Sequence, residues 1–160
     1  MRDGSIVQVG SPREIYDNPT SVFASTFIGE SNLLFGTVTH ADHALATVRI
    51  GHQSLAAPAE RPIEPEASVA LSIRPERIRL NAAVEQNGGW NRLKGTVEEL
   101  IFLGNRIRAR VSCGEATLWV EEPPTTPDAD KLSEGSNVTL GWPHEDGRLI
   151  TADEVGAAGR

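Results

Sequence analysis

The chain has 160 residues, 39% hydrophobic and 23% charged, enough apolar surface for one compact domain or two very small ones, which excludes a wholly disordered chain. Fifteen Lys and Arg against 22 Asp and Glu give a net charge of −7, and aromatics are only 5%, so general nucleic-acid binding lacks both the field and the stacking rings it needs. A single cysteine, Cys113, excludes an internal disulfide and four-cysteine or Cys2His2 zinc sites. No apolar run reaches the roughly 18–20 residues of a membrane span and none at the start resembles a signal peptide, so a soluble cytoplasmic chain is expected.

In chain order, Arg2 to Gly10 reads as a tight turn at Asp3-Gly4 between short β-prone pieces carrying Ile6, Val7 and Val9. Ser11-Pro12 with Glu14 supplies an N-cap, a proline at the first helical position and the capping-box spacing. This predicts a short helix through Tyr16 or Asp17 that ends near Asn18-Pro19. A second helix starts at Thr20 or Ser21 and places Val22, Phe23, Phe27 and Ile28 on one face before Gly29 closes it. Residues 1–29 hold too few apolar groups to fold alone.

From Asn32 onward the pattern changes to short strands separated by glycine, proline and Asx turns. Predicted strands are Leu34 to His40, Leu45 to Ile50, Gln53 to Ala56, Ser68 to Ile73, Lys94 to Leu103, Asn105 to Ser112, Ala116 to Glu121, Asn137 to Trp142 and Leu149 to Ala152. Helix is nearly absent there, and the spacing is that of an antiparallel barrel or sandwich. An internal repeat is visible: Leu34-Phe35-Gly36-Thr37-Val38 matches Leu93-Lys94-Gly95-Thr96-Val97, and Val69-Ala70-Leu71-Ser72-Ile73 matches Val138-Thr139-Leu140-Gly141-Trp142. A duplicated β unit follows, its two copies expected to share one core because neither buries enough alone. Ala57 to Ala67 and Glu121 to Glu134, rich in proline and acid, read as solvent-facing excursions. Asn81 to Asn91 reads as the connection between repeats, and residues 153–160 as a flexible tail.

The segment Met1-Arg2-Asp3-Gly4-Ser5-Ile6-Val7-Gln8-Val9-Gly10-Ser11-Pro12-Arg13-Glu14-Ile15-Tyr16-Asp17-Asn18-Pro19 resembles the end of the ATP-binding domain of bacterial ABC importers. Phe27-Ile28-Gly29-Glu30-Ser31-Asn32, then Leu34 to Val38, resembles that family's passage into its C-terminal regulatory region. Ser72-Ile73-Arg74-Pro75-Glu76-Arg77-Ile78 is similar to its "RPE" signature, and Gly95 to Asn105 with Val138 to Trp142 resembles its second half. The four matches run in order over nearly the entire chain. The resemblance implies a mainly β fold: two tandem small OB-type β-barrel motifs sharing a core, the transport-associated (TOBE) type, preceded by a β-hairpin and two-helix remnant of the nucleotide-binding domain. The implied division is 1–30 for the remnant and 31–152 for the tandem region, with repeat one at about 33–80, repeat two at about 93–152, and a tail at 153–160. LGNRIRARV and VTLGWPHED look closest to the spermidine/putrescine branch of the maltose, iron and polyamine importer group.

A complete subunit of that family needs a phosphate-cradling GxxxxGK[ST] loop, an acidic residue for magnesium and an LSGGQ-type signature. None is present, so no ATP hydrolysis is expected of this chain itself. It resembles the C-terminal part of a longer subunit, with ATP and magnesium expected only in the full-length protein and strands at residues 2–10 expected to lack their parent sheet. The resemblance further implies regulation and dimerisation: pairing with a second copy of the subunit, contact with membrane permease subunits through the parent ATPase, and a peripheral place at the inner face of the plasma membrane. A different reading makes the chain a small-oxyanion sensor of the molybdate or sulfate type, with arginines near Arg77 as the cage.

Among individual residues, Arg74, Pro75, Glu76 and Arg77 form a stiff charged turn after Ile73 and are candidates for an interdomain or dimer contact. Arg106, Arg108 and Arg110 alternate along one strand and share a face. That face is either an anion track or a solvated ladder paired with Glu98, Glu115 or Glu121. Trp90, in the glycine-rich connector, joins Arg106 and Arg108 as a candidate partner surface, whereas Trp119 and Trp142 fall in strand patterns and are expected in packing. His40, Asp42, His43 and His52 complete no metal-ligand spacing, His144-Glu145-Asp146 reads as a polar turn, and Cys113 as a free thiol. No catalytic, cofactor-binding or metal residue is assigned.

Overall fold

The computed structural model describes residues 6–42, 44–81, 88–126 and 129–151. Two short helices come first, α1 (Pro12–Asp17) and α2 (Val22–Phe27). In α1 the Ser11 hydroxyl accepts the Glu14 N–H, and the Glu14 carboxylate accepts the Ser11 N–H at 2.8 Å, completing the capping box predicted from the sequence. These bonds to Ser11 hold the Glu14 carboxyl below its ordinary pKa. Ile6–Gly10 contains no strand, so the expected hairpin is not seen there, and its Arg2–Ser5 half lies outside the described residues.

The apolar stripe predicted for α2 is not the face that packs. Ala24 and Ser25 are buried and the Ser25 hydroxyl meets that of Ser72 at 2.8 Å, whereas Phe27 is 67% exposed with Phe23 stacked on it at 5.3 Å. Small side chains let the helix approach the neighbouring strand closely. A 3.6-residue period identifies apolar faces without saying which one finds a partner.

Among the described residues ten strands follow: β1 (Asn32–Ala41), β2 (Leu45–Ile50), β3 (Gln53–Pro58), β4 (Ser68–Ile73), β5 (Arg79–Leu80), β6 (Trp90–Phe102), β7 (Ile107–Cys113), β8 (Ala116–Glu122), β9 (Asn137–Pro143) and β10 (Arg148–Thr151). They form two five-stranded sheets of the same plan, β10-β4-β1-β2-β3 and β5-β9-β6-β7-β8. The fold is mainly β, with OB-type motifs in tandem. The chain leaves the first sheet after β4 to supply β5 to the second, and returns after β9 to supply β10 to the first. The two compact units are therefore residues 1–72 with 147–160, and residues 73–146.

The matched segments occupy matching places. Leu34 and Leu93, Val38 and Val97, Val48 and Val111, Leu55 and Leu118, and Leu71 and Leu140 are all buried, as strand alternation requires. β1 is bulged between Val38 and His40, and β6 between Val97 and Glu99. Beside each bulge the same pair of main-chain bonds recurs: Val38 N–H to Ala67 O and Glu66 N–H to Val38 O, then Val97 N–H to Ser136 O and Gly135 N–H to Val97 O. Gly36 and Gly95 sit where adjoining strands nearly touch. A Cβ on Gly36 would run into the Arg49 carbonyl oxygen, and one on Gly95 would lie 2.6 Å from the Ser112 carbonyl and the Cys113 sulfur.

Within the first unit Val38, Ala46, Val48, Ala59 and Val69 form a buried cluster with Ile50, Ile63 and Leu149 against it. The second unit buries Leu93, Val97, Val111, Leu118, Leu140 and Trp142. Its outer strands are joined by a side chain: the Glu122 carboxylate on β8 accepts the Leu80 N–H of β5 at 3.1 Å. The predicted excursions are thus partly interior, since Ala57, Ala59, Glu122 and Ala129 are buried. Composition alone did not separate the strand ends of β3 and β8 from the loops that follow them. The expected connection at Asn81 to Asn91 and the tail at 153–160 fall largely or wholly outside the described residues.

Candidate functional site

The charged turn is a single 3-10 turn over Pro75–Arg77, started by proline at its first position and closed by Arg77 N–H to Arg74 O at 3.0 Å and Ile78 N–H to Pro75 O at 3.3 Å. Arg74 and Pro75 are buried, Glu76 is half-buried and Arg77 is exposed. Of the four candidates, Glu76 and Arg77 therefore reach the surface. The Arg79 guanidinium donates to the Glu76 carbonyl at 3.0 Å, and that of Arg77 meets Asp146 at 3.3 Å. Asp146 belongs to the corresponding turn, His144–Asp146, after β9. An oxyanion cage around Arg77 would have to displace this carboxylate.

The second candidate surface separates into two places. Trp90 opens β6 opposite Pro143, at the far end of that strand from the β6–β7 turn where Arg106 lies. Just before β7, Arg106 pairs with Glu121 at 2.8 Å; on β7, Arg108 reaches the same carboxylate at 3.8 Å, and Arg110 lies between Glu98 at 3.4 Å and Glu99 at 3.5 Å. The Arg108 guanidinium also covers the Trp119 ring at 4.2 Å. The strand face is a ladder of paired charges rather than an open anion track, with Glu98 and Glu121 as two of its partners. Trp119 lies on this outer face; Trp142 is in the core.

Cys113 ends β7, one residue before the turn at Gly114, and burial pushes its thiol up to about 11, which keeps it a poor nucleophile at neutral pH. Among the described residues no three His, Cys, Asp or Glu side chains converge as metal ligands, and His43 lies outside those residues. Also among them, no helix is long and apolar enough to cross a membrane.

Sequence reading missed Glu122. It looked like the start of a loop, yet it is 4% exposed, and burial pushes its carboxyl up against the opposing pull of the Leu80 N–H, Thr126 and Arg79. It also missed β5. The signal was present in the repeat, because Arg79-Leu80 holds the place in the second sheet that Arg148-Leu149 holds in the first.

The fold and its surfaces define a mainly β chain of tandem OB-type motifs that carries paired surface charges and a proline-stiffened turn. The TOBE domain family matches residues 71–150, and the chain belongs to that family. The spermidine/putrescine import ATP-binding protein PotA of Acidothermus cellulolyticus is 33% identical over 156 residues, covering 96% of this chain and 40% of that protein. PotA 1 of Pseudomonas aeruginosa is 37% identical over 78% of this chain and 33% of its own length. The Fe(3+) ions import ATP-binding protein FbpC of Brucella suis is 32% identical over 77% of this chain and 33% of its own length. The chain thus spans about 40% or less of these relatives, corresponding to the C-terminal region of ABC importer ATPases. Among solved structures, the cytoplasmic molybdate-binding protein ModG, with molybdate bound, superposes with a TM-score of 0.64 at 16% identity, covering 74% of this chain and 94% of that one. That likeness is one of fold.

Proposed function

We propose that this chain is the regulatory and dimerisation region of an ABC importer ATPase subunit that powers uptake of a polyamine-type solute across the inner membrane. The observation that carries this reading is the 33% identity to a spermidine/putrescine import ATP-binding protein along 96% of the chain. The chemistry of ATP and magnesium belongs to the remainder of the subunit, and this chain contributes no catalytic group and needs no cofactor. It pairs with a second copy of itself, contacts the permease subunits through the parent ATPase, binds no nucleic acid, and sits peripherally at the cytoplasmic face without entering the bilayer. In the dimer, the exposed Arg77 and half-buried Glu76 of the 3-10 turn make contact, while buried Arg74 and Pro75 hold the turn's shape.

Sedimentation of the purified chain over a concentration series tests the pairing. A reversible dimer weakened by Arg77→Glu is expected; a strict monomer at the highest concentration overturns it. The solute is tested by uptake in the source organism. Disruption of the gene should abolish labelled spermidine or putrescine import and leave ferric-ion import unchanged, and the opposite pattern rejects the polyamine assignment.

A further inference from the structure

Beyond that reading, the seam between β5 and β8 of the second unit is closed by a group that titrates. β5 is two residues long and is paired in its sheet with β9, while β8 is the opposite edge. The Glu122 side chain bridges the two edges. It ends β8 opposite Ile107, is 4% exposed, and its Oε1 accepts the Leu80 N–H at 3.1 Å. Its Oε2 is also buried and, among the described residues, has no hydrogen-bond partner.

The charged groups on the surrounding elements are few. Arg79 lies on β5 and donates to the Glu76 carbonyl at 3.0 Å. The Pro75–Arg77 turn, packed against β8, brings Arg74, Glu76 and Arg77, the last drawn to Asp146 at 3.3 Å. The β7 neighbour is the apolar Ile107, and Arg106 and Arg108 beside it pair with Glu121 on the outer face. Burial outweighs the pull of the Leu80 N–H, Thr126 and Arg79, so the Glu122 carboxyl titrates above its ordinary range. While neutral, it keeps an oxygen for the Leu80 N–H at modest cost. Once ionised, it places charge on a buried oxygen that the described residues do not satisfy, which is strongly unfavourable. The least costly relief is to admit water beside the shortest strand.

The first unit closes its corresponding seam, β3 against β10, without such a group. Ala59 holds the place of Glu122, and the Arg61 guanidinium, charged at every working pH, donates to the Thr151 hydroxyl at 2.6 Å.

We infer that Glu122 is a proton-operated latch: protonated, it closes the β5–β8 seam, and on ionising it lets β5 and the Pro75–Arg77 turn open locally. The turn is carried along because Ile78 alone separates it from β5 and because Arg79 holds the Glu76 carbonyl. The proposed contact of this turn with a second copy then loosens as pH rises. That consequence rests on the pairing reading, whereas the latch does not.

Amide hydrogen exchange of the 15N-labelled chain, followed from about pH 4 to about pH 7 and divided by the intrinsic rates of unstructured peptides, tests the latch. Protection at Arg77, Ile78 and Leu80 should fall as pH rises above the ordinary carboxyl value of 4.5. The fall is by up to about tenfold per pH unit, and it levels off once Glu122 of the closed form has ionised. The 13C shift of the Glu122 carboxyl gives that midpoint directly, and the levelling should coincide with it. Amides of Leu93, Val111 and Leu140 in the same sheet, and of Ile150 in the first, should not follow. Glu122→Gln keeps an oxygen for the Leu80 N–H and cannot ionise, so its profile at Leu80 should be flat. A flat wild-type profile, a levelling away from the Glu122 midpoint, a fall shared by all these amides, or an equal fall in Glu122→Gln overturns the inference. Sedimentation at both ends of the range separates the two proposals. A dimer that weakens with pH supports both, and a monomer at both ends with the opening intact removes the pairing alone.

Discussion

At the bulge of the first sheet, Val38 is bonded to Ala67 and Glu66; at the bulge of the second, Val97 is bonded to Ser136 and Gly135 in the same way. Yet the side chains differ. The outer face of the first sheet carries Leu45, Thr47, Ala56 and Pro58 where the second carries Arg108, Arg110, Trp119 and Glu121. Where the second sheet joins its outer strands through the buried Glu122, the corresponding position of the first is the buried Ala59. Strand order, bulges and close glycine crossings are what this fold requires. At the positions compared, the ladder charges and the seam carboxylate belong to the second copy.

The sharpest way to break the comparison is at the end of β9, where Trp142 is fully buried and its counterpart in β4 is Ile73. Trp142→Ala is expected to cost about 3–5 kcal/mol in urea unfolding. Among the described residues the buried indole N–H has no hydrogen-bond partner, so Trp142→Phe should lose much less than the volume change suggests. Equal losses for the two variants would contradict the orphaned donor. Next in size is Gly36→Ala, whose Cβ meets a main-chain carbonyl that cannot swing away, with an expected cost of about 1–3 kcal/mol.

The exchange of Glu66 and Gly135 sharpens the comparison at lower energy. Both positions have positive φ, 66° and 84°, which glycine adopts freely and glutamate does not. Glu66→Gly should raise stability by up to about 1 kcal/mol, and Gly135→Glu should lower it by about 1–2 kcal/mol. If both changes destabilise, the Glu66 side chain has a role that outweighs its backbone strain.

These pairs also explain how far the sequence could be read. Alternation of apolar residues located nine strands, and the Leu-x-Gly-Thr-Val match placed Gly36 and Gly95 in register, because both features depend on local period and close packing. Arg79-Leu80 was too short to show a period, so β5 could be found only from its counterpart in the repeat. The α2 stripe misled because amphipathicity records which faces are apolar, not which are covered. For the candidate surfaces, the paired reading of Arg106, Arg108 and Arg110 followed from alternation. Glu122 and Leu80 lie on β8 and β5, and only tertiary folding brings them together.

The seam gives a pH test. Burial raises the folded-state pKa of Glu122 above its unfolded value, so the folded chain retains a proton at pH values where the unfolded chain has released it. The unfolded state then binds fewer protons, and stability falls as pH rises. The favourable contribution is complete below the unfolded value near 4.5 and is lost as pH climbs through the raised folded value. Glu122→Gln, which keeps an oxygen for the Leu80 N–H, should flatten this fall. An unchanged slope would assign the pH dependence to other groups.

The smallest effect expected belongs to the outer ladder. Its pairs are solvent-exposed, and such pairs contribute from nothing to about 1 kcal/mol each. Arg108 differs from its neighbours because only a fifth of its side chain is exposed and its planar guanidinium lies 4.2 Å above the Trp119 ring. Lysine would keep the charge opposite Glu121 but lose the flat face, so Arg108→Lys isolates stacking from charge. A loss of about 0.5–1 kcal/mol is expected, largely insensitive to salt, whereas Arg106→Lys should stay within about 0.5 kcal/mol. If the two losses are equal and both disappear at high salt, the ladder acts by charge alone, and the outer face of the second sheet is a solvated surface no more specialised than that of the first.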